Sequence, residues 1–454
     1  MPTLALTPDR INAQGGLNLI GKLIDCHSGL RSSFAVDPAR RSDRISDADI
    51  LISELGLLVQ GRTHYEDIEL FRLPKDHREE EHFARSLGLD RAPGGAILRQ
   101  RLDELASDPA VAAQLDADNL ALIKAYGADA LTVQGRRYIP CDIDVSPFDN
   151  GGSKREKIGR TYKGCDGFAP IFAYVGTQGW LLHHELRPGV QHCQKNTPEF
   201  LRQILERLEI LAPSLNDPVL IRMDSGNDSA DNLELLRQSP HGFVIKRNQR
   251  REDPIKWLSH AMAVGSGVTT RPGKEVYTGS AEHHRPGGEN STQEPMTMVY
   301  RVVRRSIDKH GQQLLIDQVS VETYWTNLGE APEDIIALYH DHGTSEQYHS
   351  ELKSDLNLER FPSGNFETNT LFLQLGAVAY NLLRALDQLA REVRDHWPPR
   401  IKPVRRRRVG SIVRDLILVA CKWVRHGGRE VMKLSTHWPW SRVMLAIDAR
   451  LSAA

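Results

Sequence analysis

Between Tyr138 and Lys246, short apolar runs alternate with helical patterns, and that alternation limits what this 454-residue chain can fold into more than any other feature. The stretch Tyr138-Ile139-Pro140-Cys141-Asp142-Ile143-Asp144-Val145-Ser146 reads as a strand. Asp142 and Asp144 are two apart and so share one side of it. Residues 168–175 and 180–186 are two apolar runs joined by Gly176-Thr177-Gln178-Gly179, a hairpin signal. Thr197 as N-cap, Pro198 at the first helical position and Glu199 in the first turn open a helix to about Leu211. Val219, Leu220, Ile221 and Met223 mark a buried strand with Asp224 at its carboxyl end. Asp228 or Ser229 caps a helix to Leu236, and Gly242-Phe243-Val244-Ile245-Lys246 is one more strand. Three antiparallel strands are followed by helix, strand, helix and strand, which makes an α/β core with a mixed sheet. Open α/β sheets place ligands outside the carboxyl ends of their strands, where Asp224 stands.

Elements in this order are characteristic of an RNase H-like mixed sheet flanked by helices. The regions around it divide the chain into five. Residues 1–135 are mostly helical, with helices expected at 46–59, 96–105, 111–115 and 119–126. The segment around Arg99 to Leu105 suits either a small DNA-binding module or an ordinary charged helix. Residues 136–249 form the first part of the core. Residues 250–328 form a β-rich insertion, with strands at 296–303, 313–316 and 319–325. Residues 329–395 complete the core, including a strongly apolar helix at 370–389. Pro398-Pro399 then leads into a carboxy-terminal region at 396–454, with an amphipathic segment at 412–424. Residues 150–167, rich in Gly and Lys, read as a mobile loop.

A net charge of −1 conceals an asymmetry: from Arg391 onward there are 15 Lys and Arg against 5 Asp and Glu. Such a block is an electrostatic footprint for nucleic acid, or else a solvated basic face. Arg405, Arg406, Arg407 and Arg408 are its densest part. No apolar run approaches the roughly 20 residues that span a bilayer. Residues 1–10 lack the basic start and apolar core of a signal peptide. The five cysteines are scattered without a CxxC, which excludes a disulfide framework or structural zinc and fits a reducing compartment.

Tyr339, His342, Glu346 and Lys353 follow one another at steps of three, four and seven within residues 331–358, which read as one helix. Those steps stack the four side chains on a single face. A helix packed only for stability places apolar groups in such a stripe, so the face is either solvated or functional. Gly343 within it costs about 1 kcal/mol relative to Ala. Phosphodiester chemistry with Mg²⁺ needs hard oxygen ligands converging from separate elements. Asp144, Asp224 and Glu346 are carboxylates so distributed. No HExxH, Walker-type loop or GxSxG competes with them.

Taken in order, these residues resemble the DDE transposases of bacterial insertion sequences. The group in question carries a tyrosine, an arginine three on, a glutamate four beyond it and a lysine seven further. Here Tyr339, Glu346 and Lys353 match, while His342 replaces the arginine. Asp144-Val145-Ser146 matches the Asp-x-Thr of the first strand. Arg160-Thr161-Tyr162-Lys163-Gly164-Cys165-Asp166-Gly167-Phe168-Ala169-Pro170, Arg222-Met223-Asp224-Ser225-Gly226 and Gly343-Thr344-Ser345-Glu346-Gln347 are also similar to the family. The resemblance covers roughly residues 142–389. It implies a Mg-dependent polynucleotidyl transferase, with Mn²⁺ able to substitute, that cleaves and joins double-stranded DNA. It implies Asp144, Asp224 and Glu346 as catalytic metal ligands. Tyr339, His342 and Lys353 are then DNA contacts; the run from Arg405 to Arg408 is expected to be one from its charge. It also implies a homodimer on DNA and a cytoplasmic, nucleoid-associated place in a bacterium. Asp142 is the reserve for the first carboxylate, or a structural hydrogen-bonding group. An RNase H-like nuclease that cuts without joining, and an inactive DNA-binding derivative, are the alternatives.

Overall fold

The computed structural model describes residues 11–35, 45–73, 81–265, 267–283, 295–308 and 310–453, so residues 1–10, read above for a leader, lie outside it. One mixed sheet of ten strands dominates. Its path runs from Val268–Arg271 through Lys274–His283, Met296–Ile307, Gln313–Thr326, Gly242–Lys246, Val219–Met223, Arg136–Val145 and Ile171–Val175 to Trp180–Glu185. Leu131–Val133 pairs off this path with Arg136–Val145. Only the three central strands are mutually parallel; Val219–Met223 pairs parallel with both Arg136–Val145 and Gly242–Lys246.

The anticipated hairpin joins Ile171–Val175 to Trp180–Glu185. Its turn needs Gly176 and Gly179 at φ of 74° and 69°, which a side chain rarely adopts. A Cβ on Gly179 would also meet the Tyr348 ring at 2.5 Å. Ser46 caps the helix Asp47–Leu58 by accepting from the Asp49 amide, an arrangement typically worth ~1 kcal/mol. The two short helices expected at 111–126 are one helix, Pro109–Tyr126, started by Asp108 and a proline at its first turn. These amino-terminal helices pack on the long helix Phe366–Glu392, which is buried along most of its length and also lies against Trp180–Glu185. The Asn381 side chain bonds both the amide and the carbonyl of Leu181, fixing the helix to that strand.

Several elements differ from what the sequence suggests. The insertion's strands extend the main sheet, because Gln313–Thr326 pairs with Gly242–Lys246. Gln313–Thr326 is also unbroken where two strands were expected. Asp317, which suggests a break, is paired with Arg304 on the neighbouring strand at 2.6 Å. The insertion opens with an unanticipated helix, Pro254–Val264, whose exposed Ile255, Met262 and Val264 blur its pattern. Lastly, the amphipathic segment at 412–424 is not a helix. It passes through a single π turn, Val413–Ile417, into the strand Cys421–His426. This strand pairs with Arg429–Leu434 across Gly427 and Gly428, both at positive φ, and with Ile11–Asn12. Gly-Gly between alternating residues is a hairpin signal that the amphipathic pattern masked.

Residues 150–167 are likewise ordered rather than a plain loop. Phe148–Asp149, Gly159–Arg160 and Asp166–Phe168 form a small three-stranded sheet, and Asn150 ties it to Glu359 and Phe361.

Candidate active site

Asp144 and Asp224 meet because their strands are parallel neighbours in register. Asp142 lies opposite Arg222 and Ile143 opposite Met223, so the two acids project from adjacent carboxyl ends. Neighbouring strands lie ~4.8 Å apart. Asp224 leaves its strand as the cap of a short 3₁₀ turn, Ser225–Asn227. Its Oδ1 accepts from the Gly226 amide at 3.2 Å and from Asn227 Nδ2 at 2.7 Å. Burial, and then the Asp144 charge, raise the Asp224 carboxyl above its usual range. Burial also pushes Asp144 upward, but the His349 and His342 imidazoles and the Val145 amide outweigh it and hold Asp144 below that range. Their surroundings thus drive the two carboxyls apart in acidity.

One layer behind the acids lies a buried network. Arg222 is 1% exposed and grips both oxygens of Asp142, at 2.6 and 2.8 Å. Its other nitrogen donates to the Leu338 carbonyl at 2.6 Å and to Asp341 at 3.1 Å. His342 Nδ1 lies 2.9 Å from Asp142 Oδ1. Each member precedes an acid: Asp142 comes two before Asp144, Arg222 two before Asp224, and His342 four before Glu346. Thus Asp142 takes the structural alternative named for it above, and His342 turns inward rather than toward a phosphate. Tyr339 is also buried, against Tyr324 at 4.7 Å between ring centres.

The region expected as one helix is broken. Pro332–His340 is α-helical, Asp341–Thr344 is 3₁₀, Ser345–Ser350 is α-helical and Glu351–Asp355 is a π turn. Such changes of pitch mark hinges or strain, and Gly343 with its low helix propensity lies at the first. The stripe still faces the sheet at His342, His349 and Lys353. The Lys353 ammonium donates to the Pro147 carbonyl at 2.6 Å and lies over the Phe148 ring. Glu346, however, is exposed. Among the described residues no three His, Cys, Asp or Glu side chains close on one point. Asp144 and Asp224 bring hard-oxygen donors together at adjacent strand ends, and Glu346 does not join them in this arrangement.

The sequence reading did not place His349 beside the acid pair. It is buried, three residues after Glu346 on the same stripe. Its Nε2 lies 3.4 Å from Asp144 Oδ2 and its Nδ1 3.2 Å from the Tyr174 hydroxyl. The i+3 spacing was the available signal.

The arginine run is largely spent inside the protein. Arg406 binds both oxygens of the buried Glu351, the Tyr380 hydroxyl and the Gln178 carbonyl, and stacks on Tyr348 at 4.5 Å. Arg407 pairs with Asp415 and lies 4.0 Å from the Trp440 ring centre. Arg408 pairs with Asp355, and Arg405 donates to the Ala130 carbonyl. Arg405 and Arg408 remain exposed. Arg406 instead clamps the π turn, and with it the Glu346 segment, to the hairpin turn and the long helix.

A model of the transposase DDE domain, group 1, matches residues 98–454. The chain belongs to that family. Membership makes it a transposase, an enzyme of the polynucleotidyl transferase kind, in a family that generally uses divalent metal ions. No curated protein matches the chain. Among solved structures, a piggyBac transposase synaptic complex with hairpin DNA aligns at 12% identity and a TM-score of 0.40. That alignment covers 97% of this chain and 82% of the other. No described helix of this transposase is long and apolar enough to cross a membrane.

Proposed function

We propose that this transposase cleaves and joins DNA at the ends of a bacterial insertion sequence, with Asp144, Asp224 and Glu346 as its catalytic acids. In this reading residues 136–249 and 329–395 are an RNase H-like catalytic core. Residues 250–328 are its insertion, and residues 1–135 and 396–454 flank it. The working form is a homodimer holding two DNA ends, in a nucleoid-associated, cytoplasmic setting. Mg²⁺, or Mn²⁺ in its place, is the proposed cofactor; such ions supply Lewis acidity and an activated water at a phosphodiester.

The observation that carries the reading is the pair of carboxylates at adjacent strand ends, with pKa values displaced in opposite directions. Asp144 is the member held ionised, and Asp224 is the first to take up a proton. Half-buried Lys353 brings a fixed positive charge to the same edge. Glu346 reaches the pair by a change of pitch in the segment from Asp341 to Asp355, and that movement is part of the proposal. Arg405 and Arg408, being exposed, are the members of the arginine run retained as DNA contacts.

The test is an excision and strand-transfer assay on plasmid DNA carrying the element with its flanks. Wild type should cut and join, whereas Asp144→Asn, Asp224→Asn and Glu346→Gln should each bind DNA without cutting it. Cutting without joining by wild type would favour the nuclease alternative. Undiminished cutting by Glu346→Gln would remove Glu346 from the catalytic set.

A further inference from the structure

We infer that Tyr162 is a stacking platform for an unpaired nucleobase next to the carboxylate pair, an inference that rests on the proposed action on DNA. Among the described Phe, Tyr and Trp residues Tyr162 alone is in the exposed class, at 65%. Its position is fixed rather than free. The hydroxyl donates to the Val145 carbonyl at 3.0 Å, one residue past Asp144. That bond spends the polar end of the side chain and leaves the ring as surface. The same bond places the phenol next to Asp144; burial first, and then the charges of Asp144 and Asp224, raise its pKa.

The surroundings select the ligand. The Lys163 ammonium lies 5.9 Å from the Tyr162 ring centre. Lys163 is also close enough to Lys353 to depress that ammonium's pKa, after burial. Lys154 and Lys157 are exposed in the segment between the first two strands of the small sheet, and Arg160, paired with Asp166, is exposed on the second. A flat apolar face, flanked by ammonium groups and set at the reacting edge, matches a base attached to a phosphate backbone. Aromatic rings bind unpaired bases with little sequence preference, because every base has a π face. Bases within a duplex have no free face, so the platform engages a strand opened near the cut.

The experiment uses the full chain and two fluorescent single strands of equal length and charge, a thymidine oligonucleotide and an abasic oligonucleotide. Wild type should bind the thymidine strand at least about tenfold more tightly, equivalent to about 1.4 kcal/mol. Tyr162→Ala should lose that preference while binding the abasic strand as wild type does. Tyr162→Phe and Tyr162→Trp should keep most of it, and Tyr162→Leu should not. An unchanged base preference in Tyr162→Ala would overturn the inference. Equal loss in Tyr162→Phe and Tyr162→Ala would also overturn it, by assigning the residue to loop anchoring. Failure of wild type to bind either strand or duplex DNA would instead overturn the functional reading on which the inference rests.

Discussion

Replacing Asp142 with Asn tests the network beneath the acids. Asp142 is 3% exposed and Arg222 1%. The substitution leaves a buried guanidinium facing an amide. Breaking a buried pair from one side typically costs ~3–5 kcal/mol, because the survivor keeps its desolvation penalty without its partner. Asp341 lies 3.1 Å from Arg222 but is 48% exposed, so it offsets only part of that loss. The expected cost is therefore at the lower end, about 3 kcal/mol. Removing both charges with Asp142→Leu and Arg222→Met should cost less than the two single changes added together, since no charge is left stranded.

Urea titration monitored by tryptophan fluorescence reads these differences at neutral pH. Burial raises the Asp142 pKa, but Arg222 and His342 outweigh it and leave it below its ordinary value. The pair's stabilisation is thus present above that value and disappears as pH falls through the lower native one. The single variant and wild type should converge in acid. A loss of under about 1 kcal/mol at neutral pH, or strictly additive single effects, would refute the argument.

Other outcomes follow from the same contacts. Asp224 has a raised carboxyl pKa, so its ionisation costs native stability above the ordinary range; Asp224→Asn should raise the melting temperature at pH 7 while abolishing cleavage. In metal-free protein, Asp144→Asn should lower the Asp224 titration midpoint seen by NMR, and an unmoved midpoint would separate the two acids. Arg406→Ala leaves Glu351, 1% exposed, unpaired and should cost ~3–5 kcal/mol, read as a lowered unfolding midpoint. Arg405→Ala should instead leave stability nearly unchanged and reduce the salt slope of DNA binding by about 1.

The parts of this fold that could be read from the sequence are those written in neighbouring residues. Alternating apolar runs gave the three central strands, Gly176 and Gly179 the hairpin, and Ser46 a helix start. Asp144 and Asp224 stand out because a carboxylate at or near the end of an apolar run is a local feature. Their shared register is not local; it depends on two strands far apart in sequence lying parallel. The same limit explains the arginine run. Its composition suggests a free basic surface, but Arg406 and Arg408 find Glu351 and Asp355 on a segment some fifty residues earlier. Stripe geometry assumed an unbroken α-helix through Gly343. The 3₁₀ turn Asp341–Thr344 interrupts it, and in the α-helical turn that follows His349 faces Asp144 while Glu346 lies at the surface.

The central claim is that Asp144 and Asp224, joined by Glu346, are the catalytic centre. A crystal structure after Mn²⁺ soaking, using anomalous scattering to locate the ions, tests it most directly. The account predicts one or two ions between Asp144 and Asp224, with the segment from Asp341 to Asp355 repositioned so that Glu346 also coordinates. Ions bound elsewhere, or an ion on the two aspartates with Glu346 still turned to solvent, would contradict it.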